Sequence, residues 1–128
     1  MNPRLPHRLA RVPGASGEGA AHWWAERASA LALVPLTLWL LIALVRLPLN
    51  DYAAVTIWLA GGWNPVWLAL LLLALCRHAN LGIQVIIEDY VHSNALKLAA
   101  LLVNNAAHLL LLLGGLYAVG RIALRGVA

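Results

Sequence analysis

The chain has 128 residues, of which 62% are hydrophobic and only 11% are charged. A water-soluble domain carries roughly 25% charged residues, so this composition excludes a soluble globular protein and indicates a single membrane domain. The formal net charge of +4 comes from basic residues scattered without a cluster or stripe, which argues against nucleic-acid binding.

The first 21 residues are polar and basic, and glycine and proline interrupt them repeatedly. This composition predicts a flexible tail over residues 1–21 and a membrane domain over residues 22–128. The tail is rich in arginine and poor in acids, as transit peptides are, but its glycines and prolines disfavour the amphipathic helix that such a peptide requires.

Three apolar segments follow, at residues 28–45, 65–87 and 98–120. About 20 residues, each rising 1.5 Å, cross a hydrocarbon core of ~30 Å, so each segment is long enough to span a bilayer. Lipid offers no partner for backbone N–H and C=O groups, which makes helices obligatory. The sequence therefore predicts an all-α integral membrane protein with three transmembrane helices, the first bent at Pro35.

The flanking residues support these boundaries. Five tryptophans at the ends of the first two segments are typical of the membrane interface: Trp23, Trp24, Trp58, Trp63 and Trp67. Pro48 and Gly61-Gly62 mark the first connection, and residues 91–95 mark the second. Four arginines precede or begin the first helix, so the positive-inside bias predicts a cytoplasmic N-terminus in a multi-pass protein.

The second helix carries an ionisable residue at depth, which in a membrane helix indicates function. His78 comes 13 residues after Pro65, about 20 Å along the helix. His78, Gly82, Val85 and Asp89 share one face, and Gly82 makes that face flat one turn beyond the histidine. A planar macrocycle with an imidazole as axial iron ligand would fit there. A hydrogen bond between helices, with Gly82 admitting a neighbouring helix, explains the same residues.

The pattern His-x3-Gly-x-Gln-Val-x3-Asp-Tyr-Val at residues 78–91 resembles the second helix of the cytochrome b-type D anchor subunit of succinate dehydrogenase, in its alphaproteobacterial and mitochondrial form. The resemblance implies that His78 is an axial metal ligand of haem b. It also implies that Asp89 and Tyr90 border a ubiquinone site, where the tyrosine hydroxyl donates to a quinone carbonyl. Arg27, just before the first apolar segment, would then face a haem propionate.

The same resemblance implies a bundle larger than three helices, in the inner membrane of a bacterium. A second anchor subunit of the cytochrome b556 type would supply the other haem ligand. An iron–sulfur subunit and a flavoprotein subunit would oxidise succinate and deliver electrons, so this chain would catalyse nothing alone. Two alternatives remain open. One is the anchor of another respiratory enzyme, such as fumarate reductase; the other is a small transporter subunit, with His78, Asp89 and Asn105 lining a polar path.

Several polar residues lie outside the motif. Arg77 departs from the resemblance, and it would either pair with a haem propionate or extend toward a neighbouring subunit. Asn104, Asn105 and His108 in the third segment are expected to form interhelical hydrogen bonds. Polar side chains of this kind are too numerous for three helices to satisfy in lipid, which predicts an obligate hetero-oligomer. They are His78, Asn80, Gln84, Asn104, Asn105 and His108. The single Cys76 is expected to be a packing residue.

Overall fold

The computed structural model describes residues 15–125, with side chains from residue 19 onward. These residues form four helices: α1 (Ala15–Arg46), α2 (Tyr52–Ala60), α3 (Asn64–Tyr90) and α4 (Asn94–Arg125). Three of them, α1, α3 and α4, are long and apolar enough to cross a membrane. The all-α, multi-pass architecture predicted from the sequence is therefore confirmed.

Helix α1 begins earlier than expected. The first fourteen residues of the predicted tail lie outside the described residues, whereas residues 15–21 are already helical. Alanine and glutamate are among the best helix formers, and they outweigh glycines that cost roughly 1 kcal/mol each. Pro35 lies inside α1 and does not end it.

Helix α2 occupies the first connection, where no helix was predicted. Asp51 caps it, because its carboxylate accepts hydrogen bonds from the backbone N–H groups of Ala53 at 2.9 Å and Ala54 at 3.2 Å. Gly61 ends the helix, and Gly62 adopts a φ of 54°, which turns the chain into α3. An aspartate followed by nine apolar or hydroxyl residues and two glycines was the available signal for this helix.

The three long helices lie in a row. Helix α3 contacts both α1 and α4, while α1 and α4 do not contact each other within the described residues. Buried apolar side chains in residues 19–125 are confined to Leu36, Leu71 and Leu81, and most other large apolar side chains are exposed. This distribution is that of a unit whose broad faces meet lipid or other subunits.

Two local contacts hold neighbouring helices together. The Trp39 ring of α1 lies 5.6 Å from the Trp58 ring of α2 and 6.1 Å from the Trp67 ring of α3, so one aromatic cluster joins three helices. At Gly115 of α4, an added Cβ would lie 3.0 Å from a methyl carbon of Leu72. The glycine therefore permits the close approach of α4 to α3.

Candidate functional site

His78 of α3 faces α1. Its Nδ1 atom lies 3.2 Å from the Oγ atom of Ser29, and Ser29 is buried at 8% exposure. The serine hydroxyl donates its proton to the backbone carbonyl of Glu26 at 2.8 Å. Ser29 thus joins the backbone of α1 to the imidazole of α3.

This chain of contacts indicates the tautomer of His78. A serine hydroxyl has one proton, and in this arrangement it is directed to Glu26 O, so Ser29 Oγ is the acceptor for His78. His78 then carries a proton on Nδ1, and Nε2 is the ring nitrogen that this contact leaves for another partner. Sequence reasoning missed Ser29; a serine inside an apolar span, which must find a partner in lipid, was the signal.

Gly82, one turn beyond His78, borders open space. A Cβ added to Gly82 would meet no heavy atom within 4 Å, so no helix of the described residues approaches it. Close packing of α1 or α4 is therefore not what requires a glycine here, whereas the approach of a helix from another subunit stays open. The surface beside the histidine is open to a flat group or to another subunit.

The end of α3 is polar and exposed. Asp89 is exposed, and Tyr90 retains 77% of its accessible surface. Glu88, beside them, accepts two hydrogen bonds. Its carboxylate accepts one from the Gln84 amide at 2.8 Å, and its backbone carbonyl accepts one from Lys97 Nζ at 2.9 Å. The α3–α4 connection is thereby fixed, while the Asp89 and Tyr90 side chains remain available to a ligand.

Arg27 points away from the His78 contact. Arg27 lies two residues before Ser29, so the two residues are separated by 200° of rotation around α1. The guanidinium carbon of Arg27 lies 5.3 Å from the Trp23 ring centroid. Its side chain is exposed. The structure therefore brings His78 to Ser29 and does not bring Arg27 into that contact.

Polar residues of α3 and α4 form a network. Asn104, at 7% exposure, donates to the backbone carbonyl of Asn80 at 3.1 Å and to its side-chain oxygen at 2.6 Å. Asn80 donates to Asn105 at 2.9 Å, and His108 Nδ1 lies 2.8 Å from the Asn104 carbonyl. The asparagines link two helices as predicted, but the histidine bonds to its own helix.

This network pairs part of each polar side chain. The six polar residues thought too numerous for three helices each have at least one hydrogen-bond partner within the chain, Gln84 through Glu88 and His78 through Ser29 included. Adjacent helices can form these bonds because Asn80 and Asn104 stand opposite each other. An amide or imidazole has further donor or acceptor atoms beyond one bond, so the obligate hetero-oligomer stays a prediction.

The described residues contain no group of three or more histidine, cysteine, aspartate or glutamate side chains that could hold a metal ion together. Cys76 is a free, partly exposed thiol. A metal bound through His78 would consequently need its remaining ligands from a macrocycle or from another subunit.

The chain matches the family described as succinate dehydrogenase/fumarate reductase transmembrane subunit over residues 1–113. It is 33% identical over 88 residues to the succinate dehydrogenase hydrophobic membrane anchor subunit of Rickettsia bellii, covering 69% of this chain and 70% of the relative. The same subunit of Rickettsia conorii is 29% identical over 89 residues, covering 69% of this chain and 71% of the relative. The succinate dehydrogenase membrane anchor subunit of Reclinomonas americana is 29% identical over 87 residues, covering 65% of this chain and 72% of the relative.

Proposed function

Since the chain belongs to the succinate dehydrogenase/fumarate reductase transmembrane subunit family, we propose that it holds haem b through His78 and forms part of a ubiquinone reduction site with Asp89 and Tyr90. It acts as the membrane anchor of a succinate dehydrogenase, beside a second anchor subunit that supplies the other haem ligand. A flavoprotein subunit and an iron–sulfur subunit oxidise succinate and pass electrons to the quinone.

The contact between His78 and Ser29 is the observation that carries the proposal. A histidine that ligates a metal characteristically donates its other ring N–H to an oxygen, which fixes the tautomer and the ring orientation. His78 donates from Nδ1 to Ser29 Oγ and so directs a free Nε2 lone pair away from α1. The open space at Gly82, one turn beyond His78 on α3, leaves room for a planar group beside the histidine.

Haem b would supply a one-electron store beside the quinone, and the protein's own residues determine where it lies. His78 binds and orients it through Nε2. Arg27 is proposed for a propionate on the resemblance to the family alone, since it lies on the side of α1 away from Ser29. Its exposed guanidinium rests on the Trp23 ring, a contact that leaves its N–H donors available to a carboxylate.

Tyr90 and Asp89 serve the quinone. The Tyr90 hydroxyl donates to a quinone carbonyl, and the Asp89 carboxylate polarises that hydroxyl and its surrounding water. Quinone reduction consumes two protons, and both residues are exposed at the end of α3, where water has access. With a cytoplasmic N-terminus in a bacterial inner membrane, this end of α3 faces the cytoplasm, on the side where the soluble subunits bind.

An absorbance spectrum of the purified complex tests the proposal. The wild-type complex should show a haem b Soret band, and His78→Ala should weaken or shift it, because one axial bond is lost. His108→Ala is the matched control, since His108 is also a half-buried membrane histidine but is bonded to its own helix. A complex without haem, or an unchanged spectrum in His78→Ala, would overturn the assignment.

A further inference from the structure

A pocket opens between α2 and the last turns of α4. Its volume is about 450 Å³, within the range of roughly 300–1,000 Å³ that is typical of small-molecule sites. Tyr52 and Ile57 of α2 line one side, and Ile122 and Arg125 of α4 line the other. Among the described residues that line the pocket, Arg125 is the one with a charged side chain, and it lies beside apolar surface.

The pocket lies at one surface of the membrane. Helix α2 joins the end of α1 to the beginning of α3, and Arg125 is the last residue of α4, so the pocket is at the level where three transmembrane helices begin or end. The exposed rings of Trp63 and Trp67, which follow α2, are typical of the interface between hydrocarbon and water. A ligand in the pocket would therefore lie among the lipid headgroups.

This position is far from the proposed haem and quinone sites. Gly82 lies 18 residues after Asn64, the first residue of α3, which is about 27 Å along the helix axis. Asp89 and Tyr90 lie farther still, at the opposite end of α3. A ligand in the pocket would contact neither site.

Positive charge predominates at this surface. Arg46 ends α1, and Arg121 and Arg125 lie one turn apart near the end of α4. Of the five acidic residues in the chain, four lie in the first half of α1 or at the end of α3, at the opposite surface, which leaves Asp51. Its carboxylate already accepts two backbone N–H groups of α2. Three arginines and one aspartate leave a net side-chain charge of +2.

The topology does not account for this charge. A cytoplasmic N-terminus, as predicted, places Arg121 and Arg125 at the external surface, where the positive-inside bias makes arginine less common. Phospholipid phosphates are the anions present at headgroup level, and a guanidinium pairs with phosphate through two parallel hydrogen bonds. Since a phospholipid carries hydrocarbon next to its phosphate, it also matches the isoleucines beside Arg125 better than a free anion does.

We infer that the pocket between α2 and α4 binds the headgroup of an anionic phospholipid. Arg125 pairs with the phosphate, and the acyl chains lie against Ile57 and Ile122. Basic pockets between membrane helices are a recurring form of such sites. A lipid held there contacts both α2 and α4 and joins them. The inference goes beyond the proposed function and does not depend on haem or quinone.

Native mass spectrometry of the purified complex tests the site. The complex is delipidated in mild detergent and titrated with phosphatidylglycerol or with phosphatidylcholine, and phosphatidylglycerol should bind more tightly. Arg125→Gln should weaken phosphatidylglycerol binding at least about 5-fold, because a basic residue near a membrane surface contributes ~1 kcal/mol to anionic-lipid binding. Arg46→Gln is the matched control, since Arg46 is exposed at the same surface but does not line the pocket. It should bind the lipid as the wild-type complex does.

Four results would overturn the inference. The first two are equal affinity for the two lipids and an equal effect of the two arginine substitutions. The third is displacement of the bound lipid by millimolar inorganic phosphate, which would identify a site for a free anion. For the fourth, a photoreactive amino acid replaces Ile122 in the complete complex, where the expected crosslink is to phospholipid. A crosslink to another subunit, to a second copy of this chain or to ubiquinone would give the pocket a different occupant.

Discussion

The Nδ1 atom of His78 lies 3.2 Å from Ser29 Oγ, although the two residues are 49 positions apart in the chain. Helix α1 therefore determines the orientation of a histidine on α3 through one buried hydroxyl. Because the same hydroxyl donates to Glu26 O, it is directed to accept the imidazole proton. If His78 ligates haem iron as proposed, Ser29 is the residue that orients its ring so that Nε2 faces the metal.

Replacing Ser29 by alanine should loosen haem without removing it. The substitution removes the acceptor for His78 Nδ1 and frees the ring to rotate, and loss of such a supporting contact typically weakens metal affinity 10- to 100-fold. Haem content of the purified complex and its reduction potential measure the effect. Ser29→Thr, which keeps the hydroxyl, is the control and should retain more haem than Ser29→Ala. Equal haem content and potential in wild type and Ser29→Ala would contradict this role.

Tyr90→Phe should lower quinone reduction on the order of 10²-fold, because a hydroxyl that stabilises developing charge on the quinone oxygen is lost while the ring remains. Tyr90 is 77% exposed, so stability should hardly change. Reduction of quinone and of an artificial acceptor are assayed in parallel, and only the first should fall. Tyr52→Phe alters an 83% exposed tyrosine outside the α3 site and serves as the control. Wild-type quinone turnover in Tyr90→Phe would remove Tyr90 from the site.

Asn104→Leu should destabilise the α3–α4 pair. The substitution removes both hydrogen bonds from Asn104 to Asn80, and interhelical hydrogen bonds in membranes contribute on average ~0.6 kcal/mol each. The expected loss in unfolding free energy is therefore roughly 1 kcal/mol, measured by denaturant titration in detergent. Val103→Leu, at an exposed neighbouring position, should leave the titration unchanged. Equal stability of Asn104→Leu and wild type would show that the network contributes nothing.

Two adjacent glycines of α4 should respond differently to a larger side chain. Gly115→Leu forces atoms into Leu72, and overfilling of this kind typically costs ~1–3 kcal/mol. Gly114→Leu extends into a region where no heavy atom lies within 4 Å, so the isolated chain should tolerate it. Thermal unfolding of both variants in detergent compares them. A Gly114→Leu variant as destabilised as Gly115→Leu would place another element of this chain against Gly114.

The transmembrane helices could be predicted because lipid imposes both their length and their hydrogen bonding. Helix α2 was missed because its nine residues are too few to show a period, even though Asp51 was a visible cap. The contacts of His78, Asn80 and Asn104 could not be predicted, since they depend on which helices are neighbours and how each is rotated. The roles of His78, Gly82, Arg27, Asp89 and Tyr90 stay predictions.

The row of helices has a consequence for the order of biosynthesis. Because α1 touches α3 and α3 touches α4, each helix can dock on its predecessor as it leaves the insertion machinery, without waiting for a closed bundle. The Ser29–His78 contact lies between α1 and α3 and can form before α4 has been translated. The hydrogen bonds that join Asn80 to Asn104 and Asn105 can form only when α4 is in place. A nascent chain would therefore acquire its histidine geometry first and its α3–α4 hydrogen-bond network last.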